Sequence, residues 1–171
     1  MRHRPFSKAS LVLVLGTLGT VGLMPTCAWS ATTSANSSVT IIAPVTLTKT
    51  ADLVFGTVAP TTRAGTVVMS AAGTRTGTNV VLSSLAAGNA AGFTISGNAN
   101  STFAVTLPSS TTLTGPGTSM TVNAFTSTPS ATGTLNGSGA ATLNVGATLS
   151  VGVSQVAGSY TGSFTVTVNY N

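Results

Sequence analysis

The chain contains no glutamate and a single aspartate, and its one histidine and one cysteine, His3 and Cys27, lie near the N-terminus. From residue 31 onward the only charged side chains are Lys49, Asp52, Arg63 and Arg75. Acid–base catalysis, nucleophile activation and metal coordination draw on His, Cys, Asp, Glu or Lys in convergent groups. One carboxylate and one lysine do not make such a group, so no enzyme activity, metal or cofactor is expected. Asp52 alone is a poor calcium ligand, because such sites gather roughly six to eight oxygens. It reads as a turn cap before Leu53, with Lys49 close enough in sequence to pair with it. The lack of thiols beyond Cys27 excludes disulfides, leaving stability to packing alone. Tryptophan is missing after Trp29, which removes the commonest sugar-stacking platform.

The N-terminus is the one region of a different kind. Arg2, His3, Arg4 and Lys8 precede an uncharged, mostly apolar stretch over residues 9–24, followed by small residues. A basic start, a short apolar run and a small-residue exit make a secretory signal peptide, expected over residues 1–30. The cut falls after Ser30 or after Ala31. The apolar run is short of the ~20 residues a membrane helix needs, and Gly16, Gly19 and Gly22 weaken it further, so no stable membrane insertion is expected after cleavage. The protein is then exported, to the periplasm, the cell surface or the medium. Cleavage also changes the charge. The formal +5 of the whole chain falls to three scattered cations against one carboxylate. Nucleic acid is not an expected partner, since phosphate binding needs clustered Lys and Arg.

What remains is rich in Thr, Ser, Val and Gly. Residues 31–38 (ATTSANSS) form a polar leader expected to be mobile, followed by a single domain over residues 39–171. Apolar side chains recur there with period two, the mark of a half-buried strand. Val39, Ile41, Ala43, Val45 and Leu47 share one parity. The same alternation appears at Phe103/Val105/Leu107, Met120/Val122/Ala124, Leu149/Val151/Val153 and Phe164/Val166/Val168/Tyr170. Thr and Val suit the pleated sheet. Turn residues such as Gly88-Asn89, Gly97-Asn98 and Gly115-Pro116-Gly117 punctuate the runs. No stretch holds a 3.6-residue apolar period. The expected fold class is all-β, an antiparallel β-sandwich rather than a barrel.

Candidate contact residues are few. Arg63 and Arg75 flank the Val67/Met69 strand, where they either meet a partner or keep an uncharged surface soluble. Phe125 breaks parity with Met120, Val122 and Ala124, and is therefore expected to face outward as a possible ligand contact. The other phenylalanines fall on core parity.

Two stretches carry a family resemblance. One is the opening Val39-Thr-Ile-Ile-Ala-Pro-Val-Thr-Leu-Thr-Lys-Thr-Ala-Asp-Leu-Val-Phe-Gly56. The other is the closing Gly158-Ser-Tyr-Thr-Gly-Ser-Phe-Thr-Val-Thr-Val-Asn-Tyr-Asn171. Together they resemble a bacterial family of exported domains, the domain of unknown function 4402. The layout is more distantly similar to spore-coat-protein-U-type pilins of archaic chaperone–usher systems. That resemblance implies an incomplete immunoglobulin-like, pilin-like sandwich whose missing strand comes from the N-terminal extension of another subunit. Val39, Ile41, Ala43, Val45 and Leu47 would be the donated residues. The alternative is that residues 39–47 are the domain's own first strand. Two functions follow as expectations. One is an exported, non-enzymatic surface or fimbria-like structural subunit that pairs strands with copies of itself or related subunits. The other is a monomeric secreted adhesion module that binds through its loops.

Overall fold

The computed structural model describes residues 29–171, so the expected signal peptide falls almost wholly outside the described residues. The chain divides into two units, Met1–Val39 and Thr40–Asn171. In the first, residues 29–39 form neither helix nor strand and are exposed throughout. The second unit holds every strand found among the described residues: β1 (Thr46–Ala51), β2 (Val58–Pro60), β3 (Gly65–Met69), β4 (Arg75–Thr78), β5 (Val80–Leu82), β6 (Ala91–Ser96), β7 (Thr102–Thr106), β8 (Ser110–Leu113), β9 (Met120–Thr128), β10 (Thr132–Thr134), β11 (Ala140–Val151) and β12 (Thr167–Tyr170). No helix occurs among the described residues. The domain is all-β and every pairing is antiparallel, as the period-two pattern predicts.

The long strand β11 is the spine. Its first half pairs with β6, from Ala140↔Ser96 to Val145↔Ala91. Its second half pairs with β3, from Ala147↔Met69 to Val151↔Gly65. β9 spans the changeover, from Asn144↔Thr128 to Leu149↔Val122. At the changeover a glycine is required, because a Cβ on Gly146 would strike the backbone of Met69 and Ser70. β1 extends the sheet beyond β6, β4 beyond β3, and β8 beyond β9, giving seven strands curled into a half-barrel. A three-stranded sheet, β10-β7-β12, and the pair β2-β5 complete the domain.

Two core clusters form along this spine. The first gathers Ala91, Phe93, Ile95, Phe103, Leu135, Leu143 and Val145, with Val45, Leu47, Phe164, Val166, Val168 and Tyr170 packed against it. The second gathers Phe55, Val67, Met69, Met120, Val122, Ala147, Leu149 and Val151. Leu53 and Phe125 touch both.

Three readings change. The alternating run over residues 39–47 divides: Val45 and Leu47 pack on the domain's own core, whereas Val39, Ile41 and Ala43 stay exposed. Phe125 does not face outward. Between Gly146 and Thr148 the β9–β11 register shifts, with Ala124 at φ 47°, so β9 carries an extra residue. Such a bulge reverses the side-chain parity beyond it. Phe125 is thereby turned inward, half-buried, its ring 5.1 Å from that of Phe164. Last, the alternation from Phe164 to Tyr170 is strand only from Thr167 onward.

Candidate functional site

The second core cluster is not closed. A groove of about 1000 Å³ opens onto Phe55, Leu113, Met120, Val122, Leu149 and Val151. That is the upper end of the roughly 300–1,000 Å³ found for small-molecule pockets. Protein interiors ordinarily leave few voids larger than a water molecule. Two stretches wall it, residues 53–60 on one side and 155–164 on the other.

Each wall is bonded along one edge only. On the first, Val54 exchanges both backbone hydrogen bonds with Asn89, and Thr57 donates to Ala86 and accepts from Ser83. Val58, one residue on, pairs with Leu82 of β5 next to that bonded position. In an antiparallel ladder successive residues point their N–H and C=O groups to opposite edges. The backbone of Val58 therefore points away from β5. On the second wall, Thr161 exchanges both bonds with Thr114, and the Thr111 hydroxyl donates to the Ser163 carbonyl at 2.6 Å. Extended-chain alternation from Thr161 directs the backbone groups of Gly162 and Phe164 away from β8. Among the described residues, the stretch 162–166 makes no backbone–backbone hydrogen bond.

The wall at 155–164 is anchored by Tyr160. Its hydroxyl donates to the Val156 carbonyl at 2.9 Å and accepts from the Gly117 N–H at 3.0 Å and from Gln155 Nε2 at 2.9 Å. Gln155 Nε2 also donates to the Thr118 carbonyl. The opposite wall is held by Arg75. Its Nη1 donates to the carbonyls of Phe55 at 2.9 Å and Ala86 at 3.1 Å, and its Nη2 to that of Ser83 at 2.7 Å. The only charges lining the groove are Lys49 and Asp52, exposed and bonded to each other at 2.6 Å. An exposed pair of this kind contributes about 0–1 kcal/mol. Among the described residues there is no group of His, Cys, Asp and Glu able to hold a metal. The groove offers apolar side chains and backbone edges.

Of the residues singled out from sequence, Arg75 lies behind a groove wall, engaged with carbonyls. Arg63 is exposed in the turn after β2, its carbonyl accepting from the Thr61 hydroxyl at 3.1 Å. Phe125 does not line the groove but packs its ring on Phe164, which does. Val39 and Ile41 are 84% and 90% exposed, and Ile42 also reaches solvent. Tyr160, Gln155 and the groove itself escaped the sequence reading. The groove needs residues over a hundred positions apart to meet, whereas Gly158-Ser-Tyr160 stood out only as the start of the closing stretch that carries the family resemblance.

These features define a class: an all-β antiparallel domain with an open-edged apolar groove and no charged reaction centre among the described residues. The chain belongs to the family described as domain of unknown function (DUF4402), whose model matches residues 45–170. The match begins at Val45, where the chain first packs on its own core. Comparison with curated proteins and with solved structures returns no match.

Proposed function

We propose that this protein is an exported, non-enzymatic structural subunit that assembles by strand pairing. In this reading the groove takes residues 39–42 of a second copy, the exposed part of the run before Ala43, whose carbonyl is bonded to the chain's own Tyr170. The observation that carries it is the pair of facing, one-sided walls over an apolar groove. A strand laid between them gains hydrogen bonds on both sides and covers Met120, Leu149 and Val151.

The occupant is argued from the chain itself. Val39 and Ile41 alternate, are almost wholly exposed, and sit in a stretch with no charge before Lys49. Burying both side chains is worth about 3–6 kcal/mol. The groove is uncharged apart from the mutually paired Lys49 and Asp52 in its lining, so neither surface repels the other. Head-to-tail donation is heterologous and does not close, so the product is a fibre. An immunoglobulin-like, pilin-like sandwich lacking one strand accounts for the open groove. The Tyr160 hydroxyl bonded back to Val156 supports that reading, because Greek-key sandwiches carry such a tyrosine before a late strand. The basic, apolar N-terminus supports export to the periplasm, cell surface or medium.

Deletion of residues 31–42 is the direct test. The exported full chain is expected to form SDS-resistant, sedimentable polymers, and the deletion is expected to leave a folded monomer. Full-length material that stays monomeric at every concentration refutes the assembly role and favours the loop-binding adhesion module.

A further inference from the structure

Arg75 makes no ion pair, because the single aspartate of the sequence is taken by Lys49. Its guanidinium is half-buried and spends its donors on carbonyls of two separate stretches. These are Phe55 and Thr57 in the groove wall, at 2.9 and 3.4 Å, and Ser83 and Ala86 in the loop behind it, at 2.7 and 3.1 Å. Between the Val54–Asn89 pair and Thr57, no backbone–backbone bond holds the wall among the described residues. Gly56 there adopts φ 73°, and a Cβ on it would strike Arg75 Nη1 and the Ala86 carbonyl. The wall is thus kinked around the guanidinium, with the glycine making room for it.

We infer that Arg75 is a positioning residue for strand uptake: its fork of hydrogen bonds replaces the missing ladder behind residues 55–57 and keeps that wall in register for an incoming strand. The inference rests on the groove reading above. Arginine is required because its planar fork presents several fixed donors, whereas lysine presents one point charge on a flexible stem. Lining residues such as Met120 and Leu149 shape the groove's floor, but they do not set the direction of the wall's backbone groups. Arg75 does, through Phe55 and Thr57.

The test uses the full chain carrying Val39→Asp, whose grooves its own segment does not fill. A synthetic peptide of residues 37–47 is titrated into it, and into the same chain with Arg75→Lys or Arg75→Gln added. The peptide dissociation constant is expected to rise about tenfold or more in both, the effect of losing one charge-assisted hydrogen bond. Amide exchange at Val54, Thr57 and Ser83 is expected to quicken, while exchange along the β6–β11 ladder stays unchanged. That split is what a general structural role would not produce. Unchanged peptide affinity in both variants, or loss of β6–β11 protection in step with affinity, overturns the positioning role. A Val39→Asp chain that takes up no peptide overturns the groove reading itself.

Discussion

The two halves of β11 serve opposite ends of the domain, and they are finished differently. The first half, Ala140 to Val145, packs against β7 of the β10-β7-β12 sheet, and the cluster around Phe103 and Ile95 is sealed except where Ala91 and Phe93 reach the groove. The second half, Ala147 to Val151, has comparable side chains but lies under two single stretches with a gap between them. Composition hardly distinguishes the halves, since Val, Leu and Phe occur in both clusters. The difference is the number of strands available to cover them. Val39 and Ile41 are almost wholly exposed, and the proposed assembly brings this run to the less covered half.

The contrast makes its largest prediction in the sealed half. Phe103→Ala removes a fully buried ring and is expected to cost about 3–5 kcal/mol, read as a fall in the denaturant midpoint. Phe125→Ala, at the junction, loses both partial burial and the contact with Phe164. It is expected to cost about 2–3 kcal/mol by the same measurement. Leu113→Ala, half-buried on the groove, is expected to cost the monomer only about 1–2 kcal/mol. A Leu113→Ala cost equal to that of Phe103→Ala would mean that the two halves are equally closed. Lys49→Ala breaks the exposed ion pair in the groove lining and is expected to shift stability by less than about 1 kcal/mol.

Much of the sealed half was legible in the sequence. Parity at Phe103/Val105 marked a strand that the structure forms, with Phe103 fully buried. The open half was less so, for physical reasons. Period two states which residues share a face, not whether another strand covers that face. Phe164 and Val166 alternate as cleanly as Val168 and Tyr170, yet only the latter two have a partner strand. The outward reading of Phe125 failed because one extra residue near Ala124 reverses parity without a glycine to announce it. Likewise the run at residues 39–47 gives no sign of the point, Val45, at which packing begins. Arg75 was visible as a charge, but its carbonyl partners come from two separate stretches, residues 55–57 and 83–86, that only the fold brings together.

The central claim is that a strand from another copy fills the gap beside residues 162–166. Amide hydrogen exchange at Gly162 and Phe164, compared between assembled protein and the monomer lacking residues 31–42, tests it directly. Both amides are expected to exchange rapidly in the monomer and to slow by about a hundredfold or more on assembly, as new ladder hydrogen bonds form. Polymers in which Gly162 and Phe164 exchange as fast as in the monomer would contradict the account.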